Sequence, residues 1–174
     1  MVRSALASKN RIGKGPIAGA AYVPAASVVA GILLAALPII VSTGWFPDFG
    51  FLFLIAWRLL RDDVWPSWWA APLGLLNDLV TGAPVGLSVT VWTSAMLALD
   101  LLDRRTIWRG YWTEWALASL LVLFDETARW LASGWVGAPV PFAFMVPPIL
   151  ISIATFPITA RIVGGLDAWR LRRQ

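Results

Sequence analysis

Cysteine and histidine are both absent from the 174 residues. Without a thiol or an imidazole there is no disulfide, no thiolate or imidazole metal site and no histidine-dependent triad or dyad, which removes most hydrolase chemistry. Charge is scarce as well. Only 14% of the residues are Asp, Glu, Lys or Arg, against roughly 25% in an ordinary soluble domain. No Gly-Lys-Ser/Thr sequence exists to cradle a phosphate. The stretch Gly86-Leu87-Ser88-Val89-Thr90 lacks the closing glycine of a nucleophile elbow. No spacing of carboxylates brings two or three of them to one metal site. These absences predict a chain that is not an enzyme and needs no cofactor or metal.

What fills the space is apolar. Hydrophobic residues make up 59% of the chain and its mean hydropathy is +0.72. They come in long blocks separated by short polar or Gly/Pro breaks, the pattern of several membrane spans and not of one buried core. The expectation is an all-α membrane protein of about six transmembrane helices. One transmembrane domain, 22–165, lies between a cytoplasmic N-terminal tail, 1–21, and a basic cytoplasmic C-terminal tail, 166–174.

The N-terminal tail carries Arg3, Lys9, Arg11 and Lys14. The block after it, 22–43, exceeds the roughly 7 to 15 residues of a cleavable signal core and reads as an uncleaved first helix. The second span, 47–60, is short; Pro47 suits a first helical position and Asp48 the first turn, where the helix dipole favours a carboxylate. The third is 65–81. The turn Gly82-Ala83-Pro84 leads into the fourth, 85–102, and the fifth is 111–131. The sixth, 140–164, contains Pro141, Pro147, Pro148 and Pro157, so a kink or break near its middle is expected.

Charge placement fixes the orientation, because Lys and Arg gather on cytoplasmic flanks. Six helices starting inside put the tail, then Arg58 and Arg61, then Arg104, Arg105 and Arg109, then Arg161, Arg170, Arg172 and Arg173 on the inner side. Of the 14 basic residues only Arg129 falls on the outer half. A five-helix chain would strand the C-terminal arginines outside, so both termini are expected in the cytoplasm. The same charge clusters account for the formal net charge of +4 without a nucleic-acid partner. Of the 12 tryptophans, all but Trp92 fit this map as interfacial belts. Trp45, Trp130 and Trp135 fall near outer ends, and Trp57, Trp65, Trp68, Trp69, Trp108, Trp112, Trp115 and Trp169 near inner ends. Trp92 lies deeper and has no assigned role.

Charged side chains within spans are costly, about 2.5 to 3.5 kcal/mol each on insertion scales, and therefore face a partner or a cavity. Asp78 in the third span and Asp125, Glu126 and Arg129 in the fifth form such an intramembrane set. Arg129 lies one helical turn from both Asp125 and Glu126, and it is expected to pair with Asp78, Asp125 or Glu126. Two readings stay open: a neutralised cluster that ties the third and fifth helices together, or an outward-facing polar site that binds a partner or ligand. Asp100 and Arg104 make a further i,i+4 pair that reads as a solvated helix end, and Asp62 and Asp63 read as a loop.

From Gly74 to Leu87 the chain reads Gly-Leu-Leu-Asn-Asp-Leu-Val-Thr-Gly-Ala-Pro-Val-Gly-Leu. Gly82 and Gly86 permit a tight outer turn, Pro84 restricts it, and Asp78 can hold it by accepting hydrogen bonds from backbone donors. This string, together with Pro47-Asp48 opening an apolar helix that ends in arginine, resembles the MreD family of rod shape-determining membrane proteins. The resemblance covers the chain from about residue 22 to the C-terminus. It implies a non-enzymatic multi-pass scaffold in the bacterial inner membrane, part of the machinery of cell-wall elongation and peptidoglycan synthesis. Its implied partners are the bitopic membrane protein MreC and, through or beside it, MreB, RodA and a class B penicillin-binding protein. Asp125, Glu126 and Arg129 are not part of that family's pattern. The family's architecture is similar to the substrate-binding subunits of energy-coupling-factor vitamin transporters, which gives the rival reading, in which the outer polar cluster would bind a vitamin. The small residues Ala30, Gly31, Ala35 and Ala36 permit close helix contact without naming the partner. A proton-coupled carrier using Asp78 or Glu126 is a third reading, for which no inverted repeat is evident.

Overall fold

The computed structural model describes residues 22–37, 46–61, 65–103 and 110–172. Outside these fall the N-terminal tail, the end of the first expected span with Trp45, the Asp62-Asp63 loop, Arg104, Arg105, Trp108, Arg109 and Arg173. The described residues form six α-helices: α1 Val23–Leu34, α2 Phe49–Leu60, α3 Ala70–Thr81, α4 Leu87–Asp103, α5 Tyr111–Trp135 and α6 Val146–Arg172. Short 3-10 turns, Ser67–Trp69 and Phe142–Met145, precede α3 and α6. No strand occurs among the described residues.

Consecutive helices alternate in direction. The start of α2 meets the end of α3, the start of α4 and the later part of α5 through Asp48, Asn77, Ser88 and Arg129. At the opposite end the late α2 residues Trp57, Arg58 and Arg61 meet Ser27 early in α1, Asp100 late in α4 and Asp167 late in α6. The start of α1 and the end of α6 therefore share one end of the bundle, called here the Arg58 end; the other is the Asp48 end.

The core sits around α2. Nine of its 12 residues are buried, from Gly50 to Leu59, because it packs against α1, α4, α5 and α6 at once. A helix apolar on every face has no solvated side to offer. Close approach is built in by glycine at two contacts. A Cβ on Gly31 would lie 2.9 Å from the Phe49 backbone, and one on Gly74 would lie 2.7 Å from the Ser88 carbonyl oxygen. Gly31 is thus used inside the chain. Trp92 is fully buried and stacks on Phe51 at 5.7 Å.

The outward faces invert the usual pattern. Leu97, Leu101, Leu120, Leu123, Ile158 and Ile162 are exposed, whereas Arg58, Asp78, Asp125, Glu126, Asp167 and Arg170 are buried. Among the described residues one helical stretch, Phe142–Leu171, is long and apolar enough to cross a membrane, and Val23–Leu34 and Phe49–Leu60 are shorter apolar helices. Twelve residues of α-helix rise about 18 Å, well short of a hydrocarbon core of about 30 Å.

Several sequence expectations are corrected in detail. Pro47 is not helical; Asp48 is the N-cap of α2, its backbone at ψ 89° and its Oδ1 accepting from Phe51 N at 3.0 Å. The third span opens on a 3-10 turn before α3 begins at Ala70. The sixth helix is not broken, for a local reason. Pro157 lies inside it and brings no N–H for the carbonyl four residues back. That carbonyl, Ile153 O, instead accepts from Trp115 Nε1 at 3.1 Å. Pro147 and Pro148 stand in the first turn, where amides have no intrahelical partner anyway. The helix continues to Arg172, into the segment read as a tail. Trp57 and Trp65 are core residues and not part of a belt: Trp57 donates Nε1–H to Ser27 Oγ at 2.7 Å, and Trp65 is buried. Trp68, Trp112, Trp135 and Trp169 are exposed near helix ends.

Candidate functional site

The α3–α4 turn is held by one carboxylate. Asp78 Oδ2 accepts from Gly86 N at 2.7 Å and Oδ1 from Ser88 N at 2.9 Å. Those amides open α4, where donors have no partner within the helix, so Asp78 on α3 caps the next helix across the turn. Gly82 at φ +70° and Gly86 at φ +99° take backbone conformations that a Cβ disfavours. Pro84 contributes its carbonyl to Leu87 N at 3.0 Å. With both oxygens engaged, Asp78 forms no ion pair with Arg129.

Arg129 is engaged elsewhere. Its Nε donates to Asp125 Oδ2 at 2.8 Å, one turn back on α5, and its Nη2 to Asp48 Oδ2 at 2.5 Å, across to α2. Asp125 was among its expected partners and Asp48 was not. Asn77 joins the network, donating from Nδ2 to Asp48 Oδ2 at 3.0 Å and to Ser88 Oγ at 3.1 Å, while its own Oδ1 is buried without a donor. Asp48 therefore caps α2, accepts from α3 and accepts a guanidinium from α5. The cluster joins α2, α3, α4 and α5, a wider tie than one between the third and fifth helices alone.

Glu126 differs from its neighbours. Only 7% exposed, it forms no hydrogen bond or ion pair with any described residue, and it lines a cavity of about 240 Å³ at the Asp48 end. Ala35, Phe46, Pro47, Asp48, Thr81, Arg129, Met145 and Pro148 complete the walls. Of the expected site residues, the structure brings Pro47, Asp48, Asp125, Glu126 and Arg129 around or beside this cavity. Asp78, Gly82, Pro84 and Gly86 form the adjoining turn.

Asn77 and Ser88 were missed by the sequence reading. The rule that singled out Asp78, a polar side chain in an apolar stretch, applies to Asn77 beside it. Asp100 is likewise more than a solvated end: it accepts from Arg58 Nη2 at 2.5 Å and from the Ser67 hydroxyl. Among the described residues no group of three Asp or Glu side chains converges as a metal site would require. No family model matches the chain, and neither a curated protein nor a solved structure does.

Proposed function

We propose that this chain is a multi-pass protein of the bacterial inner membrane, with six helices and both termini in the cytoplasm. We propose further that it acts as a non-enzymatic scaffold of cell-wall elongation, binds MreC and helps to maintain rod shape. The membrane reading draws on the inverted packing, leucines and isoleucines outside and six charged side chains buried. A surface of that kind is stable against lipid and not against water. α1, α2 and α3, 12 residues each, are short for a full crossing, and the bilayer can thin locally to meet short helices.

The observation that carries the scaffold reading is the Asp78-held turn. It is fixed by two side-chain to backbone hydrogen bonds. It presents Leu79 and Val85, 65% and 73% exposed, at the end of the bundle. A rigid apolar knob of this kind suits docking, since little conformational freedom is lost when a partner binds. MreB, RodA and a class B penicillin-binding protein would then be reached beside or through MreC.

The test is capture in mild detergent. The wild-type chain is expected to co-purify with MreC, and Val85→Arg, at an exposed position outside the hydrogen-bond network, to lose it while remaining monodisperse. Depletion is expected to round rod-shaped cells. Retained capture by Val85→Arg would remove the turn as the contact, and normal shape on depletion would remove the scaffold.

A second reading, a substrate-binding subunit of an energy-coupling-factor type vitamin transporter, is favoured by the cavity beside Glu126. It requires a vitamin retained through purification and loss of uptake in Glu126→Ala.

A further inference from the structure

We propose that the cavity at the Asp48 end is a binding site for a primary ammonium group, with the Glu126 carboxylate as its acceptor. The inference concerns this cavity alone and does not depend on MreC binding.

The argument begins with charge. Asp48, Asp125 and Glu126 surround one cation, Arg129, whose Nε and Nη2 are already committed to Asp125 and Asp48. Asp78 adds no free acceptor, because both its oxygens hold backbone amides. The elements that close the cavity from α1 and α6 contribute Ala35, Met145 and Pro148, none of them charged. Glu126 is thus left over among the described residues: buried, with no hydrogen bond or ion pair to any of them, and at the wall of an open space. Buried carboxylates in other proteins are paired, hydrogen-bonded or bound to a cation. Among the described residues none donates to Glu126, and a donor entering the cavity would supply what they do not.

The lining selects the kind of donor. No convergent set of three carboxylates exists among the described residues, so a bare divalent ion would lack most of its six to eight oxygen ligands. The walls are instead largely apolar, from Ala35, Phe46, Pro47, Met145 and Pro148. They suit the carbon body of an organic cation, with Phe46 able to face the charge. A volume of about 240 Å³ lies below the roughly 300 to 1,000 Å³ of drug-sized sites, so the guest is small. A primary ammonium donates hydrogen bonds to a carboxylate; a quaternary one cannot. Two sources share this chemistry: a free alkylamine and the ethanolamine headgroup of a phospholipid, whose phosphate would lie near Arg129.

The experiment uses the full chain in a non-ionic detergent, titrated with n-propylammonium chloride at constant ionic strength and followed by tryptophan emission. Saturable binding is expected, with tetramethylammonium chloride binding at least about tenfold more weakly for want of charge-assisted hydrogen bonds. Glu126→Gln is expected to weaken propylammonium by a similar factor. Phe46→Ala, which alters no charge, is expected to weaken it by a smaller one. Native mass spectrometry with added phosphatidylethanolamine or phosphatidylcholine separates the sources. Selective retention of the ethanolamine lipid, displaced by propylammonium, identifies the lipid; propylammonium binding without that retention identifies a free amine. Unchanged affinity in both variants, equal binding of the quaternary ion, or no saturable binding of either ammonium source by the wild-type chain overturns the proposal, and the last leaves Glu126 as a neutral buried acid.

Discussion

At the Arg58 end three arginines meet three aspartates, while at the Asp48 end Arg129 pairs with Asp48 and Asp125 and leaves Glu126 without an ion pair to any described residue. Arg58 contacts Asp100 at 2.5 Å and Asp103 at 2.8 Å; Arg170 and Arg61 reach Asp167 at 2.7 and 3.6 Å. Arg170 also lies 5.7 Å from the Trp57 ring, a cation–π contact that ties α6 to α2. The arginines and aspartates that pair at the Arg58 end match in charge, and their side chains bind α2, α4 and α6 together. The Asp48 end uses the same residue types but leaves Glu126 unmatched beside an open cavity. Matched charge is sufficient for architecture. Unmatched charge at depth calls for another explanation, and this difference directs the search for function to the Asp48 end.

The comparison breaks most clearly at Arg129. Arg129→Ala would leave Asp48 and Asp125 buried without their cation, and removing one partner of a buried ion pair costs about 3 to 5 kcal/mol. The loss is expected in the unfolding midpoint of the purified chain, titrated with SDS in mixed micelles. Arg58→Ala should be milder. Its acceptors Asp100 and Asp103 have side chains 33% and 24% exposed, against 14% and 3% for Asp48 and Asp125, so water can replace much of what Arg58 provided. A loss of about 1.5 to 3 kcal/mol is expected, the range of a hydrogen bond to a charged group. Equal losses at the two ends would remove the distinction between them.

The geometry of the turn was legible in the sequence because it is local. Asp78, Gly82, Pro84 and Gly86 lie within one short stretch, and each residue type has a conformational reason to be there. The Asp48–Arg129 pair was not legible. The two residues are 81 positions apart, and the helix-dipole argument that explained Asp48 locally gave no hint of a long-range partner. That the sixth helix runs without a break was not legible for a similar reason. Pro157 signals a lost hydrogen bond, but only the packing of α5 brings Trp115 Nε1 to the freed carbonyl. Trp57 looked interfacial by position along its span, and its burial follows from α2 being surrounded on all sides. Local chemistry could be read from residue types, whereas pairings between helices required the bundle.

The smallest expected effect is the most discriminating. Glu126→Gln keeps the side chain's shape and removes its charge, at a position with no hydrogen bond or ion pair to any described residue. The midpoint is expected to hold or rise in the same titration, because a buried charge that no described residue pairs costs stability. A loss as large as that of Arg58→Ala would mean that Glu126 supports the bundle and that the Asp48 end is architectural like its counterpart. An unchanged midpoint would separate Glu126 from Asp48, Asp125 and Arg129, whose contacts hold α2 and α5 together.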